Sequence, residues 1–376
     1  FLYTGSRLFW AFKMLNPENP WLFRSIVMAA GFLFLFFPIA GLVQYSIYGI
    51  YNPDLFPKFV IYLFWYGFIF SAVMVSWTLF LDLFMVTVKK GFSINPPQLD
   101  TLFAWLMAAI SILVLLYTGI KTSIDTNRIK INKIEYSRDK SGIDFDEPLN
   151  IVHISDLQAD RFTDADKAAA YVKKVNSLNP DLVFFTGDLV YSGTAYALEG
   201  AEALSQIKSE YGIYAVIGDH DYWSGENIIA QALRQNGIQV SQNKKEILSI
   251  GNQKISITGI TEIYSKKLLK DQLQNLLHSD GEKAFSIVFS HQVTDRVLDM
   301  TKGENVNLLL GGHTHGGQLR IPFFFYPLSA VRTETKYVKG HKWFDDLLMN
   351  INSGLGYTLA PLRYGAPAEI TLITLD

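Results

Sequence analysis

Apolar positions run in unbroken stretches over the first third of the chain and in short bursts over the rest. No charged residue lies between Ser25 and Pro53, and the core of that stretch runs from Ile26 to Ile50. A second stretch runs from Phe59 to Leu81 and continues past Asp82 to Val88, and a third runs from Thr101 to Ile120. Each reaches the roughly 20 residues that a helix needs to cross a bilayer, and none has the polar face that a helix of a soluble bundle presents every turn. The pattern therefore predicts membrane spans over 25–51, 59–88 and 101–120. Trp21, Tyr48, Tyr51, Trp105 and Tyr117 sit at their ends, as interfacial anchors do. Pro38 and Gly41 fall inside the first span, where a kink is tolerated. Residues 1–12 read as the end of a further, truncated span, with an amphipathic interfacial helix as the alternative. Asp82 is the one acid at possible membrane depth, and the pattern places it at a helix end near Lys89 and Lys90.

Beyond residue 120 the pattern changes. Residues 121–147 read as a polar linker. From 148 on, short apolar runs predict buried strands at 149–155, 182–186, 213–217, 285–289 and 306–310, with shorter strands near Gln239, Ile247 and Ile255. Helical spacing occupies 164–178, 197–207, 227–235 and 266–277. The last part reads as strands and turns: 318–321, 337–339, 347–351 and 369–375. This is an α/β domain over 148–376 that grows richer in β toward its end. Either a mixed sheet or two facing sheets flanked by helices would satisfy it.

Composition agrees with the split. Of 376 residues 49% are hydrophobic and 18% charged, short of the roughly 25% charged that soluble domains carry. Six of the 33 Lys and Arg and four of the 35 Asp and Glu precede residue 121. A net charge of −2 offers no basic face for nucleic acid. There is no cysteine, which excludes disulfides, thiolate-held zinc and thiol catalysis. Arg7, Lys13, Arg24, Lys89 and Lys90 share one side of the predicted spans; Lys58, Lys121, Arg128, Lys130 and Lys133 share the other. Short loops weigh most in this balance, which tilts the 148–376 domain to the extracytoplasmic side.

Each buried strand ends in an acid or a histidine: His153-Ile-Ser-Asp156-Leu-Gln158, Gly187-Asp188, Gly218-Asp219-His220-Asp221, Ser290-His291 and Gly311-Gly312-His313-Thr314-His315-Gly316-Gly317. Ligands of open α/β sheets bind beyond the carboxyl ends of the strands, so these five ends are expected to converge. Carboxylates, imidazoles and one amide suit Mn, Fe, Zn or Mg. Seven candidate ligands exceed one tetrahedral ion and fit two ions sharing a carboxylate. Such pairs clamp phosphate oxygens and ionise a water between them.

These motifs resemble the calcineurin-like metallophosphoesterases, whose pattern is Asp-x-His, Gly-Asp, Gly-Asn-His-Asp/Glu, His and Gly-His-x-His. The tail Pro361-Leu362-Arg363-Tyr364-Gly365 and the apolar N-terminal stretches resemble the membrane-anchored bacterial branch, the YkuE-like group. The resemblance implies a four-layer αββα sandwich and two divalent ions, Mn first, with Zn, Fe or Mg as alternatives. Asp156, Gln158, Asp188 and His315 would hold the first ion, Asp188 would bridge, and Asp219, His291 and His313 would complete the second. His220, with its neighbour Asp221, is placed in the catalytic group, the imidazole serving the leaving oxygen. Two positions depart from the pattern. Gln158 replaces a histidine, which weakens the first site for zinc-like ions. Asp219 replaces an asparagine and adds charge at the second. Asp160 is a candidate to compensate for Gln158.

The expected activity is hydrolysis of a phosphoester or pyrophosphate bond in a phosphorylated lipid or lipid-linked sugar at a bacterial cell membrane. A UDP-diacylglucosamine-type pyrophosphate is an alternative that requires a cytoplasmic face. A catalytically weak membrane sensor or scaffold for a phosphorylated ligand is the competing reading. Arg161, Tyr222 and Trp223 are placed to meet the phosphate or an acyl chain. The aromatic run Phe323-Phe324-Phe325-Tyr326-Pro327 reads equally as lipid-dipping or core. Nucleic acid is not an expected partner, and the number of subunits is left open.

Overall fold

A computed structural model describes residues 2–48, 55–92, 96–137, 147–278, 284–324 and 326–376. The chain divides into two compact units, one of 1–126 with 319–329 and 360–365, the other of 127–318 with 330–359 and 366–376.

The first unit is helical. Its helices are α1 (Leu2–Leu15), α2 (Pro20–Tyr48), α3 (Lys58–Gly91) and α4 (Pro97–Asn127). By length and composition α3 and α4 can cross a membrane, and α2 carries a shorter apolar stretch over Phe34–Ile47. The end of the predicted first span, 49–51, lies outside the described residues. Ile69, Val73, Met74, Ala104 and Met107 are buried together, and Leu362 and Tyr364 join them from late in the chain. So does the short hairpin of β12 (Ile321–Phe323) and β13 (Tyr326–Leu328), through Ile321. The late segment is also tied to α4: Arg363 N donates to Thr126 Oγ1 at 3.0 Å, and Gly365 N donates to Asp125 Oδ2 at 2.6 Å. A boundary at 148 therefore misses two later segments that fold with the helices. Phe324 is exposed, while Phe325 lies outside the described residues.

Asp82 corrects an expectation. It sits nine residues before the end of α3 and pairs with Arg7 of α1, while Tyr3 Oη donates to it at 2.6 Å. Lys89 pairs instead with Asp100 at 2.6 Å. A carboxylate inside an apolar helix costs too much unless a cation and donors satisfy it, and α1 provides both.

The second unit is the sandwich. Its first sheet has the order β1-β16-β2-β3-β4-β5 and its second β14-β15-β11-β10-β7-β6. The first comprises β1 (Ile129–Tyr136), β2 (Leu149–Ile154), β3 (Leu182–Phe185), β4 (Ile213–Ala215), β5 (Gln239–Val240) and β16 (Ala368–Leu375). The second comprises β6 (Lys244–Ile250), β7 (Gln253–Ile260), β10 (Phe285–Ser290), β11 (Leu308–Gly311), β14 (Gly340–Phe344) and β15 (Leu347–Ile351). The central strands β2, β3, β10 and β11 are nearly or wholly buried, which is why they read as unbroken apolar runs. Between the sheets Ile151, Phe184 and Tyr214 meet Ile257, Phe285, Ile287 and Leu310. Phe184 and Phe289 meet edge to face, with ring centroids 5.0 Å apart.

Helices α5 (Ala165–Asn176), α6 (Ala197–Ser205) and α7 (Asp219–Gln235) cover the outer face of the first sheet through Val172, Val175, Leu204 and Leu233. Helices α8 (Lys270–Leu277) and α9 (Asp295–Lys302) cover the second through Leu273, Val297 and Leu298. The result is four layers, α/β/β/α. It is the one of the two architectures left open by the strand pattern that buries both faces of both sheets.

Several local expectations change; the strand expected at 337–339 lies instead at Gly340–Phe344. Ile129–Tyr136, inside the stretch read as linker, is an edge strand in parallel register with β16. Its Lys133 and Glu135 face solvent while Ile134 and Tyr136 are buried, so charge on one face hid the strand. The start of that linker, 121–127, is the last part of α4, which runs on past the predicted span, and 138–146 lie outside the described residues. The helix read from 266 begins at Lys270, because Lys266–Lys267 pair with Glu262–Ile263 as β9 and β8. Helix α9 was not expected. Thr294 caps it, the hydroxyl accepting from Val297 N.

Candidate metal centre

Parallel pairing sets the geometry. β2, β3 and β4 run side by side in the same direction, as do β7, β10 and β11. Their carboxyl ends therefore open at one end of each sheet, and the polar motifs follow directly.

Most candidate ligands sit on strained backbone. Asp156, Gln158, Asp188, His313 and His315 all have φ between 48° and 70°. Such left-handed non-glycine residues are held only where the surroundings over-determine them, and they cluster at functional sites. Two glycines make the close approach possible. A Cβ on Gly312 would lie 1.8 Å from Ser155 Oγ and 2.7 Å from Asp156 Oδ2. One on Gly218 would lie 2.1 Å from Asp188 Oδ1.

The side chains converge in two overlapping groups. Asp219, His291 and His313 form one, and Asp156, Asp188 and His291 the other, with the ligand atoms of each within 4.8 Å of one another. His291 Nε2 lies 3.4 Å from Asp188 Oδ2 and 3.5 Å from Asp219 Oδ2. His313 Nδ1 is 3.0 Å from Asp219 Oδ2. His315 Nε2 is 3.4 Å from Asp156 Oδ1. Gln158 Nε2 donates to Asp188 Oδ2 at 2.8 Å. All seven residues named for metal binding are thus neighbours. His291 faces both groups, where the resemblance gave it to the second alone.

Charge and donor chemistry fit cations. Asp156, Gln158, Asp188 and His291 are buried, and Asp156 Oδ1, Gln158 Oε1 and His291 Nε2 have no hydrogen-bond partner. His291 Nδ1 donates to Thr186 O at 2.8 Å, which turns the lone pair of Nε2 toward the acids. Burial pushes Asp156 up to about 6. Burial also works to raise Asp188, but His291 and His220 overcome it and bring the group down to about 2. Burial favours neutral His313, yet its bond to Asp219 carries it up to about 9. His291 is raised well above its ordinary value, because Asp188 and Asp219 outweigh its burial. Without other cations, protons on the imidazoles balance the acids. A divalent ion would replace those protons.

His220 and Asp221 take different roles. His220 N donates to Asp188 Oδ1 at 2.9 Å, and its Nδ1 donates to Tyr191 O at 2.5 Å. Asp221 turns away from the ligands. Its buried carboxylate accepts from the N–H groups of Asp188 and Leu189 at 2.8 Å, Gly218 at 3.1 Å and Val190 at 3.2 Å. Asp221 is therefore a positioning residue that holds the Asp188 turn, a correction to its placement in the catalytic group. Burial, with the charge of Asp188, raises it to about 7.

The remaining candidates separate. The Asp160 carboxylate closes its own turn, accepting from Phe162 N and Thr163 N at 2.7 Å. The guanidinium of half-buried Arg161 lies over Phe162 at 4.8 Å. Tyr222 is half-buried, packed against the apolar layer beneath α7, with Lys266 Nζ 5.6 Å from its ring centroid. Trp223 is exposed, with its ring centroid 5.7 Å from that of His220.

Three neighbours of the site were not singled out from sequence. Gln292 Nε2 donates to Asp219 Oδ2 at 2.7 Å. Tyr264 N donates to Asp219 Oδ1 at 2.9 Å, and its hydroxyl donates to Glu334. His313 Nε2 lies 3.4 Å from Glu334 Oε2. Gln292 follows a candidate ligand directly and could have been found that way. Tyr264 and Glu334 carry no local signal.

Comparison with known proteins agrees with this geometry. The family model described as calcineurin-like phosphoesterase matches residues 149–317. The chain is 30% identical over 235 residues to the uncharacterized metallophosphoesterase YkuE of Bacillus subtilis strain 168, covering 60% of this chain and 79% of that one. It is 28% identical to YkoQ, an uncharacterized metallophosphoesterase of the same strain, over 71% of this chain and 97% of that one. A transmembrane protein with metallophosphoesterase domain from Bos taurus is 26% identical, over 61% of this chain and 53% of its own length.

Proposed function

Because the chain belongs to the calcineurin-like metallophosphoesterase family and is thereby a metal-dependent phosphoester hydrolase, we propose that it works at a membrane on a phosphorylated lipid or lipid-linked sugar. The observation that carries the reading is the pair of overlapping buried ligand groups that share His291. Asp156, Gln158, Asp188 and His315 would hold one ion, and Asp188, Asp219, His291 and His313 the other. Oxygen and imidazole donors with an amide at Gln158 favour Mn or Mg. Bound there, divalent ions supply positive charge against phosphate oxygens and lower the pKa of water.

The chain's own residues do the rest. Asp221 and His220 N fix the Asp188 turn. The Nδ1–H of His220 donates to Tyr191 O and fixes the ring; carrying a second proton on Nε2, the imidazolium would pass that proton to the leaving oxygen and be left as neutral imidazole. Burial of the acids keeps bulk water from screening them. Membrane anchoring rests on α3 and α4, long and apolar enough to span, and on the transmembrane relative. Such an anchor raises the effective concentration of a substrate held in the same bilayer.

The test is hydrolysis of bis(p-nitrophenyl) phosphate by the full chain in detergent with Mn, against Asp188→Ala. Activity only in the wild type is expected. Full activity in the variant, or none in the wild type with any divalent ion, overturns the reading. The sensor reading draws on the Gln158 amide occupying Asp188 Oδ2, and elemental analysis finding no stoichiometric metal would favour it. Protease protection on intact cells decides the face of the membrane. A UDP-diacylglucosamine-type pyrophosphate requires the cytoplasmic one.

A further inference from the structure

Beside the candidate metal centre an arc of rings runs without a break. Successive centroids are 5.5 Å apart from Tyr191 to His220, 5.7 Å to Trp223, 6.5 Å to Tyr264, 5.1 Å to His313 and 5.1 Å to His291. Two members of the arc are exposed. Trp223 is 57% and Tyr264 50% accessible, and their planes are parallel to within 1°.

Both rings are fixed in place rather than left loose. The indole N–H of Trp223 donates to Ser265 Oγ at 2.9 Å. Tyr264 is anchored at both ends, through its amide to Asp219 and through its hydroxyl to Glu334. Beyond their contacts within the arc, both rings keep about half or more of their surface open to water beside the candidate metal centre. Held in place beforehand, they bind a ring with little further loss of freedom.

The neighbouring space limits what that ring can be. Tyr264 and His313 wall a cavity of about 280 Å³ whose lining includes Lys267, Gln292, Asp295, Glu334 and Lys336. That volume lies just below the roughly 300 Å³ at which small-molecule pockets begin, so it suits one ring. Its wall is polar, with Lys336 paired to Asp295 at 2.9 Å, Glu334 to Tyr264 and Gln292 to Asp219, so it offers hydrogen-bonding groups to a polar ring and little apolar surface to an acyl chain.

We propose that Trp223 and Tyr264 form a stacking shelf for a polar ring, the C–H face of a sugar or the plane of a nucleobase, carried on the leaving group of the phosphoester. The proposal rests on the phosphohydrolase reading and narrows it. Within a lipid-linked substrate, the head group and not the acyl chain lies beside the metals. A stacked ring contributes about tenfold or more in affinity.

The experiment uses the full chain in detergent with Mn and four probes: glucose 1-phosphate, uridine 5′-monophosphate, glycerol 3-phosphate and dihexanoyl phosphatidic acid. Inhibition constants against bis(p-nitrophenyl) phosphate are read together with protection of tryptophan fluorescence from acrylamide. Ring-bearing probes are expected to inhibit about tenfold better than glycerol 3-phosphate and to shield an indole in the wild type. In Trp223→Phe the shielding disappears and the tenfold ratio persists. In Trp223→Ala the ratio falls to about 1, and Tyr264→Ala gives the same loss if the first variant fails to fold. Whichever of glucose 1-phosphate and uridine 5′-monophosphate binds better names the ring. A ratio near 1 in the wild type, a ratio unchanged in both alanine variants, or preference for dihexanoyl phosphatidic acid overturns the shelf while hydrolysis stands. Absence of hydrolysis with any divalent ion, and of tryptophan protection by every probe, overturns the phosphohydrolase reading itself, and the shelf with it.

Discussion

The two sheets bring different chemistry to their shared edge. The first ends in acids: Asp156 after β2, Asp188 after β3 and Asp219 after β4. The second ends in imidazoles: His291 after β10, His313 and His315 after β11. Neither set makes a cation site alone. Buried acids without a counter-charge are costly to ionise, and imidazoles without acids offer too little charge to hold two dications. The centre therefore exists only when the sheets are stacked, so packing at Phe184 and Phe289 and the chemistry at the strand ends are one requirement. The contrast also sets the direction of the shifts: the acids of the first sheet raise His291 and His313 of the second, and a divalent ion bound between them would compete with those protons.

The sharpest way to break this division is to remove the acid that the proposed assignment gives to both ions. Asp188→Ala should lower bis(p-nitrophenyl) phosphate hydrolysis by at least about a thousandfold, since in the proposed assignment Asp188 serves both ions. Steady-state rates across a Mn titration check it. Recovery of activity at high Mn would mean that Asp188 is not shared. Chelation with EDTA should do as much to the wild type, reversibly on adding Mn.

Next in size is the support behind Asp188. Asp221→Ala leaves four buried backbone N–H groups without an acceptor, and each orphan costs about 1–3 kcal/mol. Chemical denaturation should show a loss of about 3 kcal/mol or more. The Mn dependence of activity should weaken with it, because the turn carrying Asp188 is no longer held. A stable variant with normal Mn affinity would return Asp221 to a role in the chemistry.

Much of this was legible in the chain. Apolar runs ending in His, Asp or Gly-Asp marked the strand ends, because a strand buried on both faces leaves no ambiguity about where it stops. The seven candidate ligands follow from that one regularity. What escaped notice was long-range or masked by charge. Strand β1 hides behind Lys133 and Glu135. The partner of Asp82 lies 75 residues away at Arg7. Tyr264 and Glu334 reach His313 only through tertiary folding, and Asp221 differs from Asp219 in the direction its carboxylate takes, which spacing cannot reveal.

Within the acid-bearing sheet Gln158 is the weak donor. A histidine there would add an imidazole to the side that has none of its own. Gln158→His should tighten the weaker Mn site by about 10–100-fold, the range over which single donors and their supports change metal affinity. Isothermal titration of metal-stripped protein should then show the two classes of site drawing together. If the affinities stay apart, the inequality arises from burial rather than from the amide.

The smallest effect concerns His153, on the strand that carries Asp156. It is buried between Thr186 at 3.1 Å and Asn350 at 2.8 Å. Burial lowers it from 6.5 to about 3. The folded chain keeps it neutral, and the unfolded chain protonates it below pH 6.5. Its contribution is therefore complete above that pH and is lost as pH falls toward 3, by about 1.4 kcal/mol per pH unit. In metal-free protein Asp156 and Asp221, raised to about 6 and about 7, act in the opposite sense. Between 3.8 and those values the folded state holds the extra proton, so these groups favour folding as pH falls. The quantity to measure is thus the difference in unfolding free energy between the wild type and His153→Gln, which keeps polarity but cannot titrate. That difference should move against the wild type as pH drops from 6.5 to 4.5. A flat difference would mean that His153 takes up its proton in place, and that the core behind the acids is wetter than its packing implies.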